Sequence, residues 1–184
     1  MPVILTYETH SITEDNENGI ATGWLGWAGF PPTAGPLAAD LGKRRRDTGL
    51  AAVFVSDLTR AIETAKIAFG DTGIPTYQDT RLRECDYGDL NGHPVTEVAA
   101  VRANHLESPF PGGQSYRQVI DATAEFLREL AADWDGKRVL MISHSANRWA
   151  LLAGARMEDL VNAPFHWQEG WTYEIPSGWV NNHP

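Results

Sequence analysis

The segment Arg138–Ser143 (R-V-L-M-I-S) is the most strand-like stretch of the sequence, and it decides the predicted fold. Its apolar residues follow one another without a polar interruption. Such a short continuous run is typical of a strand that is covered on both faces, as the strands of parallel sheets are. We therefore expect Arg138–Ser143 to lie at the centre of a largely parallel sheet.

Short apolar runs alternate with longer helical patterns along the rest of the chain, an order typical of α/β proteins. Further strands are predicted at Val3–Tyr7 and Ala51–Val55, with an edge strand at Thr172–Ile175. Helices are predicted at Gly35–Asp47, from Ser56-Asp57 onward, at Ser115–Trp134 and at Ala146–Ala155. The pattern predicts a three-layer α/β/α sandwich with a mainly parallel central sheet, forming a single domain over residues 1–184.

Two local interpretations accompany this pattern. Ser56 and Asp57 are residue types that cap helix N-termini, so the second helix is expected to start there, with Ile67 among its apolar contacts. The basic run Lys43–Arg46 is interpreted as a group of cations at a helix C-terminus, where the helix dipole favours them. A phosphate or partner patch is the alternative for that run.

The composition argues against several classes of partner. The chain has 184 residues and a formal charge of −9, from 15 Lys and Arg against 24 Asp and Glu. Nucleic-acid affinity depends largely on a basic face, so no nucleic-acid partner is expected. No stretch approaches the roughly 18 apolar residues that a membrane span needs, and the N-terminus lacks the basic region of a signal peptide. We expect a cytoplasmic protein, as a monomer or as a homodimer.

The cysteine and histidine content bears on metal binding. The single cysteine, Cys85, excludes an internal disulfide and a multi-cysteine zinc site, and it is expected to be a buried apolar residue. Histidines other than the two discussed next show no ligand-like pairing. We therefore predict neither a metal site nor a cofactor.

Two histidines follow predicted strands. His10 comes shortly after Val3–Tyr7, and His144 comes directly after Ser143. In open α/β sheets, ligands bind outside the carboxyl ends of the strands, so the two imidazoles are expected to converge on one site. The alternative for each histidine alone is a hydrogen-bonding role in a strand–helix turn.

Arg60 and Glu84 are two further candidates. Arg60 lies in the predicted first turn of its helix, where a guanidinium and unpaired backbone N–H groups form a receptor for an oxyanion. Glu84 lies in a loop, and its carboxyl group can protonate a leaving group if burial raises its pKa. A surface ion pair and an ordinary loop acid are the respective alternatives.

Four segments carry a family resemblance. They are T-H-S-I-T-E-D-N (Thr9–Asn16), S-D-L-T-R-A-I-E-T-A (Ser56–Ala65), L-R-E-C-D-Y-G-D-L-N-G (Leu82–Gly92) and V-L-M-I-S-H-S (Val139–Ser145). In this order they resemble the motifs of the histidine phosphatase superfamily, which has the phosphoglycerate-mutase-like fold. The resemblance spans nearly the whole chain and implies a hydrolase that acts on a small organic phosphoester.

The resemblance also implies a role for each candidate. His10 matches the nucleophile that carries the phosphoryl group, and Glu84 matches the acid that protonates the departing oxygen. Arg60 and His144 match the groups that hold the phosphoryl oxygens. Lesser substrate contacts are implied for neighbouring polar residues, namely Thr9, Ser11, Asn16, Ser56 and Ser145.

The chain departs from the family in its signature. The family has Arg-His-Gly where this sequence has Thr9-His10-Ser11, and threonine cannot supply the charge of the missing arginine. The expected function is a phosphatase with a weakened phosphate pocket. One alternative is an enzyme that uses His10, Glu84 and His144 for acid–base chemistry on an uncharged or aromatic metabolite. A binding protein with impaired catalysis is the other.

Tryptophans lie close to these motifs in the sequence. Trp24 and Trp27 follow the His10 motif, and Trp167 and Trp171 lie in the tail. Packing in a lid or in the core is the favoured interpretation of these tryptophans. The alternative is a flat apolar wall for the substrate, with Trp24 as a contact.

Overall fold

The computed structural model describes residues 1–26, 29–152, 155–162 and 170–180. The main sheet has the order β4-β3-β6-β1-β7 and consists of β1 (Val3–Thr9), β3 (Ala52–Val55), β4 (Thr76–Gln78), β6 (Arg138–Ser143) and β7 (Trp171–Ile175). All neighbours pair in parallel except β7, which is antiparallel to β1. The predicted central strand and the predicted edge strand are both confirmed. A separate two-stranded sheet pairs β2 (Ile20–Ala21) with β5 (His93–Pro94).

The helices alternate with these strands along the chain. They are α1 (Glu14–Glu17), α2 (Ala34–Arg45), α3 (Thr59–Phe69), α4 (Val95–Val101), α5 (Tyr116–Asp133), α6 (Ser145–Trp149) and α7 (Met157–Val161). Short 3₁₀ turns cover Thr80–Leu82, Gly88–Leu90 and Arg102–His105. No helix in the described ranges has both the length and the apolar character that crossing a bilayer requires.

The main sheet is covered on both faces because its strands present apolar side chains alternately to each side. One face forms a core with α2 and α3, made of Leu41, Val53, Val55, Ala61, Ala65, Ala68, Phe69, Leu140 and Ile142. The other face, which includes Phe54 and Met141, packs against α5 through residues such as Ile120 and Leu127. The predicted three-layer sandwich is confirmed.

The longest helix, α5, matches its prediction because its ends carry clear signals. The Ser115 hydroxyl accepts a hydrogen bond from the Gln118 amide at 3.2 Å, and the Gln118 side chain accepts one from the Ser115 amide at 2.8 Å. This reciprocal capping box fixes the start of the helix. Trp134 is the C-terminal cap, as the predicted end implies.

The start of α3 differs from its prediction. The helix begins at Thr59, and its N-cap is Leu58, which makes no side-chain cap. Ser56 and Asp57 are bonded elsewhere, to His144 and to Arg83 respectively. The predicted capping by these two residues is therefore wrong.

Two smaller expectations also need correction. Ile67 is 39% exposed, so its predicted core contact is wrong. The helix α6 ends at Trp149 and not at Ala155, because the following amides of Ala150 and Leu151 bond to carbonyls three residues back. Such bonds tighten the last turn of a helix and end it.

The basic run at the end of α2 ties the helix to the sheet. Nη1 of Arg44 and Nε of Arg45 each donate to Oε1 of Glu8 at 2.8 Å, and the Glu8 side chain on β1 is fully buried. A buried carboxylate needs partners of this kind. The run lies at a helix C-terminus, as predicted, and neutralises this buried charge.

Candidate active site

The two histidines lie side by side because their strands do. In the parallel pair of β1 and β6, Thr9 lies opposite Ser143, and the His10 amide donates to the Ser143 carbonyl at 3.2 Å. His10 and His144 are the next residue on each strand, and their ring centroids are 5.0 Å apart. The structure therefore brings the two imidazoles together as expected.

The His10 ring is buried, and a backbone contact fixes its tautomer. Nδ1 lies 2.6 Å from the Ser11 carbonyl oxygen, which accepts hydrogen bonds only. Nδ1 therefore carries the hydrogen, and the lone pair of the neutral ring is on Nε2. Burial, reinforced by the nearby positive charge of Arg60, lowers the pKa of His10 to about 3. His10 is thus neutral over the physiological pH range.

The His144 ring is also buried and neutral. Its Nε2 lies 2.8 Å from the Ser56 hydroxyl, and its Nδ1 is buried without a hydrogen-bond partner among the described residues. Burial lowers the pKa of His144 well below its ordinary value, with Arg60 and His10 adding to the effect. A buried ring nitrogen without a partner is able to bind a polar atom of a ligand.

Arg60 supplies a buried positive charge in the first turn of α3. The residue is only 4% exposed, and its Nη2 donates to the Gly23 carbonyl at 2.9 Å. No carboxylate of the described residues lies within ion-pair distance of it. Burial lowers the pKa of Arg60, but a guanidinium stays charged near neutrality.

Glu84 is held in the loop between β4 and β5, and its environment favours the protonated form. Burial raises the pKa of Glu84, against the opposing effects of the Cys85 amide and of the charges of Arg60 and Arg102. The Cys85 amide donates to Oε1 at 2.8 Å. Cys85 is fully buried, as expected, and burial raises its thiol pKa far above the ordinary range.

Contacts to the backbone of this loop hold Glu84 in place. Nε1 of Trp24 donates to the Glu84 carbonyl at 2.6 Å, and the guanidinium of Arg83 lies 4.6 Å from the centre of the Trp24 ring. Arg83 also forms a bidentate pair with Asp57, at 2.6 and 2.5 Å. Trp24 therefore contacts the Glu84 loop from outside the cavity.

Asn147 links the Glu84 loop to the His144 turn. Its Oδ1 accepts from the His144 amide at 3.1 Å, and its Nδ2 donates to the Arg83 carbonyl at 3.1 Å and to the Thr123 hydroxyl at 3.0 Å. The residue is fully buried. One side-chain amide thus sets the distance between two candidate groups, and sequence reasoning did not single it out.

The four candidate side chains predicted from the sequence line one cavity of about 410 Å³. Its polar lining includes His10, His144, Arg60 and Glu84. Two more arginines, Arg102 and Arg148, line it as well. Its remaining wall is largely apolar and aromatic, formed by Ile20, Ala21, Tyr87, Val95, Val98, Tyr116, Trp149, Leu152, Leu160 and Val161.

The structure divides the predicted lesser contacts into two groups. Thr9, Asn16 and Ser145 line the cavity. Asn16 also caps α1, because its Oδ1 accepts from the Thr13 amide at 3.0 Å. Ser11 is not among the lining residues, and its hydroxyl donates to the Ala34 carbonyl at 2.7 Å.

Ser56 and Trp24 are also absent from the described lining of the cavity, and they contact it only through His144 and Glu84. Trp171 packs against the Arg148 guanidinium, which lies 3.7 Å from its ring centre. Trp27 and Trp167 lie outside the described residues. Among the described tryptophans, Trp149 is the one that lines the cavity.

Sequence reasoning missed Arg102 and Arg148. Arg148 follows His144 by four residues on the short helix α6, and this spacing could have indicated it. Arg102 follows α4 in a 3₁₀ turn, where no motif marks it. Within the described part of the chain, no group of three or more metal-ligating side chains is found.

The sequence matches the family model of the histidine phosphatase superfamily (branch 1) over residues 10–169. A 2,3-bisphosphoglycerate-dependent phosphoglycerate mutase of Cytophaga hutchinsonii is 30% identical, with the alignment covering 83% of this chain and 76% of that protein. The solved structure of Bacillus stearothermophilus YhfR is 26% identical, with a TM-score of 0.78 over 90% of this chain and 87% of that chain.

A mycobacterial glucosyl-3-phosphoglycerate phosphatase shares the fold, with a TM-score of 0.79 at 20% identity over 98% of this chain and 99% of that chain. The fold, the order of the motifs and the family match agree with one another. This chain therefore belongs to branch 1 of the histidine phosphatase superfamily, the superfamily that its four sequence segments resemble.

Proposed function

We propose that this protein hydrolyses phosphomonoesters through a phosphohistidine at His10. The observation that carries the proposal is the charge of the cavity. Arg60, Arg102 and Arg148 line it, and Glu84 is the one carboxyl group among its described lining residues. In a chain with a formal charge of −9, such a concentration of cations supports a strongly anionic substrate.

The reaction has two chemical steps. In the first, Nε2 of His10 attacks phosphorus in line with the ester oxygen, and Glu84 transfers its proton to that oxygen as the P–O bond breaks. In the second, water attacks the phosphohistidine while the Glu84 carboxylate accepts a proton from it. The N–P bond breaks, and inorganic phosphate and neutral His10 are released.

Arg60 and His144 hold the phosphoryl oxygens during both steps. If the Ser56 hydroxyl donates to Nε2 of His144, the ring hydrogen lies on Nδ1, the atom that has no partner in the described residues. A phosphoryl oxygen would accept that hydrogen. Fixed donors of this kind stabilise the charge spread over the phosphoryl oxygens in the transition state.

Thr9 makes the phosphate pocket weaker than that of the family. It is almost fully buried and lines the cavity, where the family places an arginine. Removal of one charge-assisted donor from an oxyanion site costs on the order of 10²–10³ in rate. The buried Arg60, which has no ion-pair partner among the described residues, argues against the alternative of an uncharged substrate, because a buried charge is costly without an opposite charge.

Turnover of p-nitrophenyl phosphate at pH 5–7 tests the proposal. The His10→Ala variant should lose at least about 10³-fold of the activity, since it removes the nucleophile. Thr9→Arg should raise kcat/KM by about 10- to 100-fold by restoring a phosphate ligand. Turnover that survives in His10→Ala would contradict the proposal. Turnover absent from both the natural protein and Thr9→Arg would favour a binding protein.

A further inference from the structure

Arg102 has an unusual environment for a partly buried arginine. Its Nη1 donates to the Val161 carbonyl at 2.9 Å, and its Nε is buried without a hydrogen-bond partner in the described residues. No described carboxylate lies within ion-pair distance of it. By contrast, Arg44, Arg81 and Arg83, also partly buried, each pair with an acidic residue.

Arg102 reaches the cavity from other elements than the histidines do. It follows α4 and bonds to Val161 at the end of α7, whereas His10 and His144 follow the paired ends of β1 and β6. The positive charge of Arg102 lowers the pKa of Glu84, Tyr87 and Tyr116, each against a larger effect of burial. The charge of Arg60 lowers the pKa of His10, of His144 and of Glu84, whereas the charge of Arg102 acts on Glu84 and on neither histidine. Under the proposed function, the histidines face the phosphoryl group and Glu84 faces the leaving oxygen. Arg102 lines the same cavity from the turn after α4 and not from the strand ends, so it faces the alcohol part of the substrate under that proposal.

The surroundings of Arg102 also constrain the rest of the leaving group. Val95, Val98 and Val161 line the cavity with it, and the Tyr87 and Tyr116 rings complete this part of the wall. Apolar and aromatic walls of this kind bind apolar or aromatic bodies. A guanidinium inside such a wall needs an anion to offset the loss of water.

We propose that Arg102 determines specificity by binding a second anionic group, a carboxylate or a phosphate, carried on the alcohol part of the substrate. The substrate class is then a phosphomonoester of an apolar or aromatic alcohol that bears this second acid. The planar fork of a guanidinium binds both anions through paired N–H donors. The inference rests on the proposed function, because it uses the histidines to define the side of the phosphoryl group.

Matched pairs of aryl phosphates test the inference. The 3- and 4-carboxyphenyl phosphates carry the second charge, and the corresponding carbamoylphenyl phosphates have nearly the same size without it. Phenylene bisphosphates, compared with phenyl phosphate, test a phosphate in place of the carboxylate. Arg102→Gln should lose about 10- to 100-fold more kcat/KM on at least one charged substrate than on its neutral partner.

Two further variants complete the experiment. Arg128→Gln removes an exposed arginine outside the described lining of the cavity, and it should leave all ratios unchanged. Arg102→Lys keeps the charge and should recover part of the preference for charged over neutral aryl phosphates. If Arg102→Gln does not fold, Arg102→Met is measured in its place.

Equal losses on charged and neutral substrates would overturn the inference and leave the phosphatase proposal standing. A different result would contradict the phosphatase proposal itself: turnover of phenyl phosphate that persists in His10→Ala. The carboxylate and bisphosphate series separate the two sources of the anion.

Discussion

The Ser11 carbonyl and the Ser56 hydroxyl each contact one imidazole of the histidine pair, at 2.6 and 2.8 Å. The first contact places the lone pair of His10 on Nε2, where a nucleophile is needed. Because burial keeps both rings neutral, the positive charge near them in the free protein is that of Arg60, which would face the phosphoryl group in the proposed reaction. A dianionic substrate would favour protonation of His144 after it binds.

The pH dependence of activity follows from His10 and Glu84. Burial raises the pKa of Glu84, and the proposed reaction needs this group protonated. With the pKa of His10 at about 3, protonation of the nucleophile limits the reaction only in strong acid. We expect kcat/KM to be highest at mildly acidic pH and to fall as Glu84 ionises, as measured with phenyl phosphate.

Glu84→Gln checks the origin of this alkaline decline. The variant should lose about 10²–10⁴-fold of kcat, and the part of the decline due to Glu84 should disappear. Glu97→Gln, at an exposed acid that pairs with His93, is the matched control. An alkaline decline that is the same in Glu84→Gln and in the natural protein would contradict the assignment.

Sequence reasoning found the residues of the site that carry recognisable motifs and missed those that do not. His10 and His144 were identified because each follows a strand, and strand ends meet at one edge of a sheet. Ser11 looked like a substrate contact, but its hydroxyl bonds to Ala34 from a different element. Arg102 reaches the cavity only through the packing of a turn against α7, which no local pattern indicates.

At the scale of elements, the contact between α2 and α3 depends on one glycine. A Cβ atom on Gly42 would collide with the backbone carbonyl of Ala68. Backbone atoms cannot move aside as a flexible side chain can, so the two helices would have to separate. Gly35, on the same helix, has nothing within 4 Å of such an atom.

The pair Gly42→Ala and Gly35→Ala tests this close approach. Gly42→Ala should lower the free energy of unfolding by about 1–3 kcal/mol through overpacking. Gly35→Ala should leave it unchanged or raise it by up to about 1 kcal/mol, because alanine restricts the unfolded chain. Urea denaturation of both variants gives the measurement. Equal effects in the two variants would show that the helix contact is not tight.

The positions of strands and helices were predictable where the local sequence pattern and the tertiary packing favour the same structure. The central strand was found because an uninterrupted apolar run marks it, and α5 because apolar residues recur along it at three- and four-residue steps; its capping box agrees with the predicted start. The start of α3 was misplaced because Ser56 and Asp57 are good capping residues that tertiary contacts use elsewhere. The end of α6 was missed because its stop consists of backbone turns.

At the scale of the whole molecule, two buried neutral imidazoles make stability depend on pH. The pKa values of His10 and His144 are lower in the folded protein than in the unfolded chain. Below about pH 6.5, the unfolded chain therefore binds protons that the folded protein does not, and stability falls as pH falls. The raised pKa of Glu84 has the opposite sign and offsets part of this loss.

We expect His10, with its pKa of about 3, to cost about 1.4 kcal/mol of unfolding free energy per pH unit between about pH 6 and 4, and His144 to add a loss of the same sign. Urea denaturation from pH 7.5 to 4.5 measures the slope. His10→Asn and His144→Asn should each reduce it, whereas His93→Asn, at an exposed histidine, should not. A slope that is the same in all four proteins would contradict the argument.

The distance between the two imidazoles follows from the geometry of the sheet. Neighbouring strands in any sheet lie about 4.8 Å apart, and the rings here, one residue beyond paired strand ends, are 5.0 Å apart. The spacing of the reactive centre is thus inherited from backbone hydrogen bonding. Under the proposed function, substitutions in the turns that line the rest of the cavity would change the space for the alcohol without changing the distance between the two rings.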